Sequence, residues 1–179
     1  MQNSSLTLAV APASEPLVLS DVKTYLRVSG SDEDALIASV MKAVRETAEK
    51  FLRTSMITQS WKLSYDQYAP SEVPLLMGPV QSITSVTAFA RDESSTTISS
   101  ASYYLNAGKR VLVFDATPIS NRIEIVYVTG YGAAASDVPN PIKQGLLAHI
   151  AAIYDGRAGA STIPPQSLGL YGPYRVWRV

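Results

Sequence analysis

Three segments of the sequence space their apolar residues three and four positions apart, the pattern of an amphipathic helix. In the longest, residues 32–53, an apolar stripe runs from Ile37 to Leu52 and the opposite face is charged. Shorter patterns occupy residues 20–28 and residues 141–155, where a proline stands at the first helical position. The sequence therefore predicts three helices over these ranges.

The apolar period changes to two at Ile57, and alternate residues as far as Tyr65 are mostly apolar. Four further strand-like runs follow, separated by turn-forming stretches. They lie at about residues 83–90, 103–105, 110–114 and 122–128. The section 57–130 is therefore predicted to form a small, mostly antiparallel β-sheet inserted between helices, and the predicted fold class is α+β.

Both ends of the chain lack a sustained hydrophobic period. Residues 1–16 are rich in Ser, Pro and Ala, which predicts a flexible N-terminal arm. Residues 161–179 hold too few apolar residues to pack alone and are predicted to form an extended C-terminal tail. Between these ends, residues 17–160 are predicted to form a single domain.

The composition is that of a globular protein, since 46% of the residues are hydrophobic and 17% are charged. The 15 basic and 15 acidic residues cancel, so the chain has no basic surplus for general nucleic-acid binding. It has no cysteine, which excludes disulfides and thiolate sites, and one histidine, His149. Neither a signal peptide nor a membrane-spanning stretch is recognisable, so we expect synthesis and assembly in the cytoplasm.

No nucleotide-binding, nucleophile-elbow or zinc-protease motif occurs in the sequence. The three carboxylates at residues 32–34 are interpreted as helix-start residues that complement the helix dipole, not as a metal site. His149 is interpreted as a core or interface residue, and Gly145 in the same helix predicts close packing against another backbone. We therefore expect no catalytic residue, no metal and no cofactor.

The charged face of the longest helix carries opposite-sign pairs four residues apart. Such a face is typical of solvent exposure, but it also suits a contact between subunits. The residues of the candidate subunit interface are Lys42, Arg45, Glu46, Glu49 and Arg53. The sequence leaves both interpretations open.

The C-terminal run YGPYRVWRV is rich in Tyr, Trp and Arg, the residues that dominate interface hot spots. Its alternation suits addition as a strand to the sheet of another chain. Alternatively, the tail folds back onto its own domain and Trp177 fills the core. Residues 138–179 carry a net charge of +3 and residues 1–137 a net charge of −3, so the C-terminal part fits an acidic surface.

Several segments together resemble the head–tail connector, or adaptor, proteins of long-tailed double-stranded DNA phages, prophages and gene transfer agents. They are PLVLSDVKTYLRV (16–28), DEDALI (32–37), ITQSW (57–61), GPVQSI (78–83), YVTGYG (127–132), VPNPIKQ (138–144) and YRV (174–176). Their order and spacing over about residues 16–179 carry the resemblance more than any single segment does.

The resemblance implies a structural virion protein that forms an oligomeric ring beneath the portal, extends the DNA channel and provides the platform for the stopper or tail. The implied partners are the portal protein, neighbouring copies of the chain, a stopper or tail terminator, and double-stranded DNA that passes without sequence-specific binding; no membrane is implied. The implied location is the neck of the virion, after assembly in the cytoplasm of a bacterial host.

In such connectors the C-terminal tail reaches the portal. The portal-binding residues that the resemblance implies are Tyr171, Tyr174, Arg175, Val176, Trp177 and Arg178. We therefore expect deletion of residues 171–179 to leave folding intact while abolishing portal binding.

Three alternatives remain open. The first is a stopper or tail terminator of the same neck region. The second is a small hydrolase that uses carboxylates of the β-rich section, namely Asp66, Asp92 and Glu124. The third is a DNA-binding regulator whose basic C-terminal part contacts phosphates.

Overall fold

Two separate hydrophobic cores organise the chain. The structure is a computed structural model that describes residues 3–66, 70–156 and 162–176. One compact unit comprises residues 1–12 and 58–130, and the other comprises residues 13–57 and 131–179. The first unit contains the strands and the second contains the helices, so the predicted α+β class is confirmed.

The β unit contains two sheets whose described strands all pair in antiparallel fashion. The first sheet has five strands in the order β1-β2-β8-β4-β5, and the second has three in the order β3-β7-β6. The strands are β1 (Asn3–Val10), β2 (Gln59–Asp66), β3 (Glu72–Pro74), β4 (Val80–Phe89), β5 (Ser95–Thr97), β6 (Tyr103–Leu105), β7 (Val111–Phe114) and β8 (Arg122–Thr129).

Strand β8 lies at the centre of the five-stranded sheet, and its sequence shows why. Its residues alternate between half-buried and buried along the whole strand, which is the period-two pattern of a strand that covers a core. Ile123, Ile125 and Tyr127 are fully buried, and they pack with residues such as Leu112 and Phe114 of β7. Both sheets of the unit therefore share one core.

The helical unit contains α1 (Leu19–Leu26), α2 (Asp34–Leu52), α3 (Asn140–Tyr154) and α4 (Pro165–Tyr171). The apolar stripe of α2 forms the largest share of this second core, together with α3 residues such as Ile142 and Leu146. The three helices that the sequence predicts are present, with ends that differ by one or two residues. No helix among the described residues is long and apolar enough to cross a membrane.

The N-terminal segment differs from the prediction. Within residues 1–16, for which the sequence predicts a flexible arm, β1 pairs along its length with β2, and Leu6 lies opposite Leu63. The sequence contains a signal for this strand, because Leu6, Leu8 and Val10 alternate with small residues. The division of the chain also differs from the predicted single domain over residues 17–160, since these residues are shared between the two compact units. Strand β1, which lies outside that range, belongs to the β unit.

The C-terminal segment also differs from the prediction. The sequence predicts an extended tail over residues 161–179, but α4 and a 3₁₀ turn, Gly172–Tyr174, occupy most of the part that the structure describes. A proline at the start of α4 suits its first turn, and the buried residues Ser167 and Tyr171 lie one helical turn apart. The tail therefore contributes to the helical core.

Candidate partner-binding surfaces

The segment 165–176 is attached to the helical unit by contacts along its whole length. Ser167 is fully buried, and its Oγ donates a hydrogen bond to the carbonyl oxygen of Gly145 at 2.9 Å. The ring of Tyr171 lies directly against Gly145, where a Cβ on the glycine would come within 2.4 Å of Cε1. Gly145 thus permits close packing as predicted, although against an aromatic ring and not against a backbone.

Tyr171 is a core residue and not an exposed partner contact. It is 0% exposed, and its ring centroid lies 6.3 Å from that of Phe51. Burial raises the pKa of its hydroxyl, and the hydroxyl oxygen makes no hydrogen bond within the described residues. The side chain of Tyr171 therefore fills the helical core, and this burial does not fit the predicted role in contacting the portal.

The next three predicted contact residues, Tyr174, Arg175 and Val176, are half-buried. The Arg175 guanidinium stacks over the ring of Phe51, with Cζ 4.5 Å from the ring centroid. The backbone N–H of Val176 donates to the carbonyl oxygen of Leu52, the last residue of α2, at 3.1 Å. The described end of the tail thus folds back onto the end of α2, while Trp177 and Arg178 lie outside the described residues.

Two of the five residues predicted for the subunit interface are buried within the helical unit. Arg45 and Glu49 are 5% and 3% exposed. Arg45 donates through Nε to Glu15 at 2.8 Å and through Nη1 to Glu49 at 3.0 Å, and Glu49 also accepts the backbone N–H of Met56 at 2.7 Å. These two residues are therefore engaged within the helical unit, where Arg45 joins Glu15 to Glu49 and Glu49 joins α2 to Met56.

Burial by itself would lower the pKa of Arg45. The hydrogen bond to Glu15 and the negative charges of Glu49 and Glu15 outweigh that effect and raise the pKa. The guanidinium is consequently held in its charged form between two carboxylates. The other predicted interface residues keep some access to solvent: Lys42 and Glu46 are exposed and Arg53 is half-buried.

The carboxylates of the hydrolase alternative have separate structural contacts. Glu124 pairs with Lys62 at 3.6 Å and with Arg122 at 3.5 Å. Asp92 accepts hydrogen bonds from the backbone and hydroxyl of Ser94 in the turn after β4, and these bonds lower its pKa. Asp66 is exposed at the end of β2. These contacts account for Glu124 and Asp92 as elements of the sheet and its turn.

The carboxylates at residues 32–34 are likewise engaged by neighbouring side chains. Asp34 pairs with Lys23 of α1, and Glu33 accepts a hydrogen bond from the hydroxyl of Tyr154. No group of three or more His, Cys, Asp or Glu side chains within residues 3–66, 70–156 and 162–176 is arranged to hold a metal ion.

His149 is completely buried in α3. Neither of its ring nitrogens makes a hydrogen bond of normal geometry to another described residue. Burial lowers its pKa, because the imidazolium form loses solvation, and the backbone of Thr162 opposes this shift in part. His149 is thus a neutral core residue, one of the two alternatives that its place on the apolar face left open.

The fold is similar to that of chains in gene transfer agent (GTA) particles. A chain in the neck of an empty GTA particle, computed with C6 symmetry, is 21% identical with a TM-score of 0.84, covering 98% of this chain and 97% of that one. A chain from the virion of a native GTA particle is 22% identical with a TM-score of 0.80, covering 97% and 96%. A chain in the neck of a native GTA particle, computed with C12 symmetry, is 21% identical with a TM-score of 0.79, covering 98% and 97%.

The sequence itself gives a family assignment. No curated protein matches it significantly. A family model for head completion proteins matches residues 17–148, which is most of the chain and includes α1, α2, most of α3 and nearly all of the β unit. This match agrees with the resemblance found in the sequence, and the chain therefore belongs to the head completion protein family.

Proposed function

We propose that this protein is a structural subunit of the neck of a phage or phage-like particle. It acts as a head–tail adaptor, forming a ring beneath the portal and offering the platform on which the stopper or tail attaches. The observation that carries the proposal is the fold shared over 98% of this chain and 97% of a chain in a GTA neck. Membership of the head completion protein family supports it.

The same comparison supports ring assembly. One of the similar chains belongs to a neck that was computed with C12 symmetry, in which identical subunits repeat around an axis. A ring requires that each subunit present two different, complementary surfaces to its two neighbours. A net charge of zero also suits a ring through which DNA slides, because a strongly basic lumen would hold the phosphates.

The C-terminal end remains our candidate for the portal contact, with a smaller set of residues. Tyr171 leaves the set because it is buried, so the candidates are Tyr174, Arg175, Val176, Trp177 and Arg178. The described members of this set lie half-buried at the end of α2, where a portal surface can reach them. Deletion of residues 171–179 is not a clean test, because it would remove Tyr171 from the core.

The experiment is to mix the purified protein with the portal protein of the same genetic element and to examine both by electron microscopy and native mass spectrometry. We expect rings seated on the portal. Binding to an adaptor ring or to the tail instead of the portal would identify a stopper or tail terminator. A chain that stays monomeric with each of these partners would overturn the neck assignment.

A shorter truncation tests the tail. Deletion of residues 177–179 leaves every contact described for the segment 165–176 in place, and we expect it to weaken portal binding without lowering the melting temperature. The matched control is Tyr104→Ala, which removes an aromatic side chain that is 55% exposed on the β unit. Equal portal binding by the truncated and full-length chains would remove the tail from the interface.

A further inference from the structure

Strand β1 forms an open edge of the five-stranded sheet. It pairs with β2 on one side only, and its register is regular from Asn3 to Leu8, with one irregularity between Leu8 and Val10. In an antiparallel strand, alternate residues direct their N–H and C=O groups to opposite sides. About half of the backbone groups of β1 therefore point away from β2, and none of them bonds to another described residue.

Apart from the irregularity between Leu8 and Val10, this edge lacks the features that normally prevent pairing with another chain. Edge strands are usually short or carry charged residues or proline. Strand β1 is eight residues long, contains neither, and exposes 46% of Leu8 and 60% of Val10. The edge strand β3 of the other sheet is three residues long and contains both Glu72 and Pro74. The same molecule thus protects one edge and leaves β1 available.

The opposite end of the five-stranded sheet is open as well. Strand β5 covers only the last part of β4, with register pairs at Thr87, Ala88 and Phe89, and Ile98 adds a hydrogen bond to Val86. The first half of β4, residues 80–85, has no strand on its outer side among the described residues. Ser82 and Thr84 in this stretch are both exposed.

The two open strands run in opposite directions, which allows antiparallel pairing between two copies. Strands β1, β2, β8 and β4 are neighbours and alternate in direction, so β1 and β4 run antiparallel to each other at the two ends. When the sheets of two copies lie side by side, β1 of one therefore meets β4 of the other in antiparallel orientation. Two register irregularities lie in the first half of β4, and irregularities of this kind bend a strand.

We propose that β1 of one copy pairs with the first half of β4 in the next copy, so that the sheets continue from subunit to subunit around the ring. This inference rests on the proposed neck function, which supplies identical neighbours. The contact is heterologous, as a ring requires, because the two edges belong to different strands. It is also independent of α2, whose residues Arg45 and Glu49 are already engaged within the subunit.

Cysteine cross-linking tests this contact directly, because the chain contains no cysteine. Directly paired residues share a face of the sheet, so the pairing can be followed from β1 through β2 and β8 to β4. It places Thr7 on the same face as Ser85, and Val10 on the same face as Ser82. The variants are Thr7→Cys combined with Ser82→Cys or with Ser85→Cys. The matched controls are Thr7→Cys alone and Thr7→Cys combined with Tyr104→Cys, which places the second thiol on the three-stranded sheet.

Rings are assembled on the portal, counted by native mass spectrometry, oxidised, and resolved by denaturing electrophoresis without reductant. We expect a ladder of disulfide-linked multimers from at least one edge pair and none from the controls. Rings without a ladder from either edge pair would overturn the contact and leave the neck function standing. Disulfide dimers of the Thr7→Cys single variant would overturn it in favour of β1–β1 pairing. Failure of every variant and of the wild type to form rings would overturn both proposals.

The effect of a charged residue in β1 on ring assembly provides a second test of the contact. Leu8→Lys places a charged side chain on the edge strand, as many proteins do to prevent pairing with another chain. We expect loss of ring assembly with an unchanged melting temperature. Ile119→Lys is the control, because Ile119 is 96% exposed in the turn before β8 and belongs to neither edge strand. Rings of Leu8→Lys equal in yield to those of the control would contradict the proposal.

Discussion

The ring of Tyr171 occupies the space that a side chain on Gly145 would need. A Cβ at position 145 would lie 2.4 Å from Cε1 and 2.9 Å from Cδ1 of the tyrosine. Alanine is favoured over glycine in a helix by about 1 kcal/mol, but overpacking a core costs roughly 1–3 kcal/mol. We therefore expect Gly145→Ala to lower the free energy of unfolding, measured by urea denaturation.

The matched control is Gly169→Ala in α4, where, apart from the neighbouring residues and the backbone of the helix itself, no atom of the described residues lies within 4 Å of the added methyl group. Here only the helical preference acts, so we expect unchanged or increased stability, by up to about 1 kcal/mol. Equal effects of the two substitutions would contradict the close contact between α3 and α4.

Two buried tyrosines differ in their hydroxyl groups. The Tyr127 hydroxyl donates to the carbonyl oxygen of Leu76 at 2.9 Å, whereas the Tyr171 hydroxyl has no hydrogen-bond partner among the described residues. Removal of a satisfied hydroxyl costs about 1 kcal/mol, and removal of an unsatisfied one costs nothing or stabilises. We expect Tyr127→Phe to lower the unfolding free energy and Tyr171→Phe to leave it equal or higher, again by urea denaturation.

The buried ion pairs of Arg45 predict a large and specific loss of stability. Arg45→Ala would remove the guanidinium that donates to Glu49, which is 3% exposed, and breaking such a buried pair costs about 3–5 kcal/mol. Lys42→Ala, on the exposed face of the same helix, should change stability by less than about 0.5 kcal/mol. Chemical denaturation of both variants separates these outcomes, and similar small losses would show that Arg45 and Glu49 do not form a buried ion pair in solution.

His149 predicts a pH dependence with a defined sign. Burial lowers its pKa in the folded protein below the ordinary value of 6.5, so the unfolded chain binds the proton more readily. Stability is therefore complete above pH 6.5 and falls as the pH decreases below it, by at most about 1.4 kcal/mol per pH unit. Melting curves from about one pH unit below to one above that value measure this slope. His149→Gln should flatten it whatever its effect on absolute stability.

The helices and the central strands can be predicted because their signals are local. The apolar stripe of α2 and the alternation along β8 each appear within one segment of sequence. Strand β1 has a local signal in the alternation of Leu6, Leu8 and Val10, but it lies in a Ser- and Ala-rich stretch that is typical of a flexible end. Its partner β2, which orders it, is far away in the sequence.

The candidate surfaces depend on tertiary contacts that no local pattern contains. The spacing of Arg45 and Glu49 correctly indicates an ion pair. It does not indicate the burial of the pair or the second ion pair of Arg45, whose partner Glu15 lies 30 residues earlier in the chain. The aromatic character of Tyr171 indicates an interface, and the same character suits a core when Gly145 lies opposite. Residue type identifies both groups as important, and only the fold separates internal from external contacts.

The order of the two units along the chain has a consequence for synthesis. Each unit is built from two stretches, 1–12 with 58–130 and 13–57 with 131–179. Strand β1 precedes α1 and α2 in the chain, so both helices have to be made before its partner β2 emerges from the ribosome. The helical core in turn lacks α3 until the last strand is complete. No single internal fragment contains either unit whole, so an expression product that begins at residue 58 would present β2, instead of β1, as its outermost strand.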